Sequence, residues 1–218
     1  MSAKTVFRTI SARIPTEYGE FQLCYYTNTI DDKAHMAFYM GEVQNAEDIL
    51  VRVHSECFTG DVLGSKRCDC GEQLDRSLQL ISEEGRGVLI YMRQEGRGIG
   101  LLKKIEAYNL QDAGHDTVEA NLLLGHLPDE REYTLAARIL EDLGIKSIRL
   151  MTNNPSKIEA LESEGVKINE RMELECAVTA ENARYLLTKA ERMNHMLTLN
   201  KNPKVSPKGD QREPQPTD

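Results

Sequence analysis

Cys57, Cys68 and Cys70 fall in the spacing C-x10-C-x-C. Three thiolates can hold one zinc ion and leave its fourth position open, which is the arrangement of a catalytic rather than a closed structural site. No C-x-x-C or H-x-x-x-H pair elsewhere completes a four-ligand set. The plain alternative is a structural zinc knuckle or three unliganded thiols. His54 or Glu56 could fill the fourth position, or could instead hydrogen-bond to the ligands. Three thiolates around a divalent ion leave a net negative site, so its water ionises less readily than water on three imidazoles. Neighbouring cations would offset this, and Lys66 and Arg67 are adjacent in sequence. The pattern reads first as a zinc hydrolase.

Two further segments could handle an anion. Tyr91–Leu102 contains Gly96, Gly98 and Gly100 between an expected strand and an expected helix. Glycines there let backbone N–H groups approach a phosphate at a helix start, and Arg93 and Arg97 lie on the same turn. It is not a Walker loop, and a tight strand-to-helix connection is the simpler alternative. Thr152–Lys157 also joins a strand to a helix. Asn154 suits the N-cap and Pro155 the first helical turn, while Thr152 and Lys157 could reach a ligand at the strand's carboxyl end. From local pattern alone, Asp129 with Glu132 reads as a capping box, Arg131 as a surface side chain and Tyr108 as core.

The elements that must position these residues can be read from periodicity. Strands are expected at Phe7–Ile14, Phe21–Tyr26, Ala34–Met40, Ile49–Val53, Val88–Tyr91, Ser147–Met151 and Val166–Asn169. Leu74, Leu78 and Ile81 share one face of a helix that follows Cys70 and ends at Gly85. Further helices are expected at Ile99–Ala113, Thr117–Leu124, Glu132–Leu143, Ser156–Glu164 and Ala180–Leu197, with Gly114, Gly144 and Gly165 as stops. Strands lead and helices alternate later, which predicts an α+β fold with a mixed sheet.

Composition bounds the rest. Of 218 residues, 40% are hydrophobic and 28% charged, as in a globular protein, and no apolar run is long enough to span a bilayer. Residues 1–200 are expected to form one catalytic domain. Residues 201–218 hold four of the seven prolines and read as a disordered polar tail. Met1–Pro15 carries Lys4, Arg8 and Arg13 without an acid; its alternation reads more simply as a strand than as a transit peptide. Five cysteines do not make a disulfide framework, which suits a reducing, cytoplasmic setting, and Cys24 and Cys176 read as packed thiols. A net charge of −8 disfavours a general nucleic-acid binder. Arg52, Lys66, Arg67, Arg93, Arg97, Lys103 and Lys104 crowd around the cysteines and glycines, so a small polyanion fits better.

Six stretches together closely resemble the GTP cyclohydrolase II family. They are Arg52-Val-His-Ser-Glu-Cys-Phe-Thr-Gly-Asp, Gly64-Ser-Lys-Arg-Cys-Asp-Cys-Gly-Glu-Gln-Leu, Arg93-Gln-Glu-Gly-Arg-Gly-Ile-Gly-Leu, Asp116-Thr-Val-Glu-Ala-Asn, Asp129-Glu-Arg-Glu-Tyr and Thr152-Asn-Asn-Pro-Ser-Lys. The resemblance covers about Ser11 to Met196. It implies one zinc ion per subunit on Cys57, Cys68 and Cys70, magnesium with the triphosphate, and a homodimer. It implies GTP contacts from Arg52, Val53, His54, Ser55, Glu56, Gln73, Glu95, Gly96, Arg97, Thr117, Thr152 and Lys157. It also implies Asp129 as general base, Arg131 as the nucleophile that takes the nucleotidyl group, and Tyr108 in ring opening. The reaction implied converts GTP to formate, pyrophosphate and 2,5-diamino-6-(5-phosphoribosylamino)pyrimidin-4-one, the first committed step of riboflavin biosynthesis. Guanine C8 lies between two nitrogens at the oxidation level of formic acid, so zinc-activated water can add there. The chain departs from the usual family pattern at Met172–Asn182, which lacks a proline, at Met193-Asn-His in place of Met-Gly-His, and at His126. These departures bear on a C-terminal lid and on the dimer contact.

Overall fold

The computed structural model describes residues 5–174 and 176–197; the tail expected at 201–218 lies outside the described residues. Seven strands form one mixed sheet: β1 (Val6–Thr16), β2 (Gly19–Asn28), β3 (His35–Met40), β4 (Ile49–Ser55), β5 (Gly87–Met92), β6 (Ile148–Met151) and β7 (Ile168–Met172). Their order is β1-β2-β3-β5-β4-β6-β7. The β1, β2, β3 and β5 neighbours pair antiparallel, whereas β5, β4, β6 and β7 pair in parallel. This is the expected α+β class with a mixed sheet.

Alternation along the parallel strands sets up two apolar layers, because successive side chains leave a strand on opposite faces. Val51, Val53, Val88 and Ile90 pack in one layer with Leu135, Ala136, Ile139 and Leu140 of helix α5 (Thr134–Asp142). Leu50, Leu89 and Met151 form the other with Phe21 and with Ile81, Leu74 and Leu78 of α2 (Cys70–Glu84). The helix after the cysteines therefore buries the face that its leucine spacing predicts, and Gly85 stops it in the left-handed conformation at φ 71°. Cys24 is fully buried in the first layer, as expected of a packed thiol.

The remaining helices are α1 (Phe58–Asp61), α3 (Leu101–Asp112), α4 (Thr117–Leu123), α6 (Pro155–Ser163) and α7 (Ala183–Arg192). Three expectations need correcting. The last helix is shorter than Ala180–Leu197, since Thr179 and Asn182 bond each other's backbone N–H in a turn before it. Helix α5 begins at Thr134 rather than Glu132, and its N-cap, Tyr133, makes no side-chain cap, so Asp129 and Glu132 do not form a capping box. The capping box belongs instead to Asp116 and Glu119, at the start of α4.

Candidate active site

Parallel pairing in register puts the carboxyl ends of β4, β5 and β6 side by side. The expected chemical segments follow these three strands directly, at the edge where open sheets take ligands. They surround a cleft of about 1100 Å³.

The cysteines occupy one wall. Their Sγ atoms all lie within 4.8 Å of one another, with Cys57 and Cys68 3.6 Å apart. A tetrahedral zinc ion with bonds of about 2.3 Å would separate its sulfur ligands by about 3.8 Å, so the trio fits that ion. Cys70 opens α2, where the helix dipole favours a thiolate, but within the trio of thiols hydrogen bonds with Cys57 and Cys68, then burial, push its pKa well above the ordinary value. Hydrogen bonds from the Cys68 and Cys70 thiols, then the charge of Lys104, hold Cys57 well below its ordinary pKa, while Cys57 helps push Cys68 up to about 11. The short helix α1 lies against these sulfurs because residue 60 is glycine. A Cβ there would stand 3.1 Å from the Cys57 and Cys68 sulfurs and from the Cys70 Cβ.

Of the basic residues expected around the cysteines, the one beside the sulfurs is Lys104 rather than Lys66 or Arg67, their neighbours in sequence. Lys104 donates to Cys57 Sγ at 3.1 Å and to Glu95 Oε1 at 2.7 Å. Lys66 is exposed, and Arg67 pairs with Asp112 at 2.7 Å while lying 4.9 Å from the Tyr108 ring. Lys103 pairs with Glu106. Glu95 Oε2 also accepts the Phe58 N–H at 2.6 Å, so the glycine-rich turn and the cysteine loop are tied through one carboxylate. His54 reaches the cysteine loop only through Asp61, and Glu56 bonds to no cysteine among the described residues. His54 Nε2 lies 3.0 Å from Asp61, which accepts the Cys57 N–H and the Tyr91 hydroxyl, and Glu56 pairs with Arg93.

The opposite part of the cleft is cationic. Arg52 donates to the Met151 carbonyl and Gln73, and Lys157 donates to the Val53 carbonyl at 2.7 Å. Among the described residues neither they nor Arg97 has a carboxylate within ion-pair distance. Burial first, then Arg52 and Arg131, pushes Lys157 well below its ordinary pKa. Arg97 stands at φ 64° beside Gly96 at φ 65°, a left-handed pair that a non-glycine residue adopts only under constraint. Arg131 is gripped by both oxygens of Asp129. It is largely buried, contrary to its reading as a surface residue.

All the expected site residues line this cleft except Val53 and Asp129. Val53 points into the α5 layer, because it alternates with Arg52 and His54 along β4. Asp129 reaches the cleft only through Arg131. Tyr108 lines the cleft and lies 3.1 Å from the Thr59 hydroxyl; burial raises its pKa, so it stays a proton donor. Residues not singled out from sequence also line it, notably Asn121, Tyr185, Lys189 and His195. Lys189 pairs with Asp69 at 2.7 Å, and Asp69 accepts from Gln73, the partner of Arg52. Nine buried side-chain polar atoms among the described residues lack a partner, and six belong to cleft residues: Arg52, His54, Ser55, Gln94, Arg97 and His195. Orphaned polar atoms gathered in one cleft indicate a polar ligand.

Comparison with known proteins agrees with this chemistry. Riboflavin biosynthesis protein RibBA of Bacillus velezensis is 54% identical over 193 residues, covering 88% of this chain and 48% of the relative. RibBA of Chlorobium phaeovibrioides is 54% identical over 196 residues, with 90% and 48% covered. The chain thus spans about half the length of these curated relatives. A solved two-domain 3,4-dihydroxy-2-butanone 4-phosphate synthase from A. baumannii superposes with a TM-score of 0.42 at 20% identity, over 78% of this chain and 41% of that one; at that level it carries no argument. The family model for GTP cyclohydrolase II matches residues 7–173, most of the chain, and the protein belongs to that family.

Proposed function

We propose that this chain hydrolyses GTP as a GTP cyclohydrolase II, opening the guanine imidazole ring with loss of formate and pyrophosphate in riboflavin biosynthesis. The observation that carries the reading is that one cleft joins three convergent cysteines to cations that lack a carboxylate partner among the described residues. A nucleoside triphosphate answers both, with its base at the cysteines and its phosphates at the cations.

Cys57, Cys68 and Cys70 would hold zinc, which when bound supplies Lewis-acid activation of water. Lys104 offsets the negative charge of the thiolates. Tyr108, a protonated phenol beside Thr59, would donate to a ring nitrogen or orient water. Arg52, Arg97 and Lys157 would bind phosphate oxygens, and Arg131 would meet the leaving pyrophosphate. Among the described residues no cluster of three His, Asp or Glu side chains converges, so magnesium would be carried by the phosphates rather than by a protein cage.

Asp129 is held ionised: burial would raise its pKa, but hydrogen bonds from Arg131 outweigh this and hold it low. It can accept a proton as the general base. For Arg131, burial opposes the charge, but Tyr133 and Asp129 keep the guanidinium protonated. That observation favours a second reading of Arg131, as an electrostatic clamp rather than a nucleophile. Mass spectrometry of quenched enzyme separates the two: a guanylyl adduct on Arg131 supports the nucleophile, and its absence during turnover supports the clamp.

We also read a homodimer from apolar side chains left exposed on α3 and α4, Leu102, Ile105, Leu122 and Leu123. Light scattering that gave a monomer mass at micromolar concentration would remove that reading. The free cysteines suit a reducing cytoplasm, and no helix of the described residues is long and apolar enough to cross a membrane. The test of function is incubation with zinc, magnesium and GTP, followed by formate, pyrophosphate and product-mass assays. Unchanged GTP would overturn the activity, and a formylated pyrimidine alone would mean arrested hydrolysis.

A further inference from the structure

Residues 176–197 lie beyond the family match, yet they bring Tyr185, Lys189, Met193 and His195 to the cleft. The segment is fastened as a strap. Asn153, on the loop after β6, binds the Leu174 backbone with its side chain at 2.8 Å and 3.2 Å, and its carbonyl accepts the Met196 N–H at 2.8 Å. Midway, Lys189 is anchored on Asp69 at 2.7 Å. The His195 N–H bonds the Lys189 carbonyl at 3.0 Å, closing the end of α7. Backbone bonds on both sides of His195 therefore fix where its ring sits.

The imidazole Nε2 is shielded from solvent and has no hydrogen-bond partner among the described residues. The charged groups that act most strongly on it are cations from four elements: Lys189 of α7, Arg131 of the loop before α5, Lys157 of α6 and Arg97 of the glycine-rich turn. Carboxylates compensate two of them, Asp69 for Lys189 and Asp129 for Arg131. Among the described residues Lys157 and Arg97 have none, so the guanidinium of Arg97 at the least leaves the group around His195 with excess positive charge.

We propose that His195 is a substrate-contacting residue of the polyphosphate end, whose Nε2–H donates a hydrogen bond to a phosphate oxygen. The inference rests on the triphosphate reading above. Its logic is electrostatic. A fifth cation would repel the four already present, whereas a neutral imidazole adds a donor without adding charge. Burial and the neighbouring cations push the His195 pKa down to about 3, so the ring is neutral at working pH. A phosphate oxygen selects the tautomer with the proton on Nε2, and the orphaned atom gains its partner.

The test is calorimetric titration of tripolyphosphate, and separately of guanosine, into the zinc-loaded wild type, His195→Ala and His195→Gln. Gln keeps a donor amide near the place of Nε2. His195→Ala is expected to weaken tripolyphosphate about tenfold, as loss of a hydrogen bond to a charged group does. His195→Gln should restore most of that, and guanosine affinity should not change in either variant. In turnover, KM for GTP should rise with kcat within about twofold of wild type. Unchanged tripolyphosphate affinity in His195→Ala would overturn the role of His195 alone. Loss of both ligands in both variants would mean a structural role and overturn it too. A wild type that binds no tripolyphosphate would instead overturn the triphosphate reading itself.

Discussion

The antiparallel and parallel halves of the sheet divide the work. Strands β1 and β2 run 11 and 10 residues, and most of β1 is exposed. No residue of β1, β2 or β3 lines the cleft. Strands β4, β5 and β6 have 7, 6 and 4 residues, are almost wholly buried, and each delivers a cleft-lining loop at its carboxyl end. Parallel strands need helical crossovers that cover both faces. Their ends therefore gather at one edge inside a rigid frame, while a hairpin can extend into solvent without reaching any site.

Substitutions can break or sharpen this contrast. The largest effect is expected in the cleft: Cys57→Ser should lose zinc and lower formate release by at least about a hundredfold, read by metal stoichiometry and product assay. Retained turnover would sink the zinc assignment. Next, Ile81→Ala, at 0% exposure under the parallel strands, should destabilise by about 3 kcal/mol. Ile10→Ala, 66% exposed on β1, should stay within about 0.5 kcal/mol; urea denaturation compares them, and equal effects would erase the distinction. Asp116→Ala, which removes the α4 capping box, should cost about 1 kcal/mol in the same assay.

The smallest effect is a pH dependence. The folded pKa of Asp129 is depressed, so its contribution to stability is complete above the unfolded value of about 4 and is lost as pH falls through the folded one. The melting-temperature gap between wild type and Asp129→Asn should shrink as the pH is lowered from 5 toward 3. A gap that widened in acid would contradict the Asp129–Arg131 ion pair as the cause of that depression.

Much of this was legible in the chain. Alternation in β4, leucine spacing in α2 and glycine stops located most elements, because buried faces impose those periods. The spacing of the cysteines announced their convergence. The misses share a cause: they are decided by contacts distant in sequence. Lys189 meets Asp69 across 120 residues, so no local pattern marks it as a site residue, and basic crowding marks Lys104 only loosely because its contact with Cys57 spans 47. Helix α1 is a single turn hidden between Cys57 and Cys68. The left-handed Arg97 has no compositional sign, since the glycine that would normally mark that conformation is absent. Asp129 was misread because D-x-x-E describes a cap wherever it occurs; the same pattern at Asp116, which does cap, could have been weighed equally.

The unpaired cations of the cleft have a consequence for the life of the molecule. Like charges kept close in a buried site oppose the folded state, and an anion that binds only that state relieves them. On the proposed function, a bound nucleotide would complete the fold as well as undergo chemistry in it. If GTP is the substrate, as proposed, a cell short of it would leave more of the chain open to proteases, and the amount of protein would decline along with that supply.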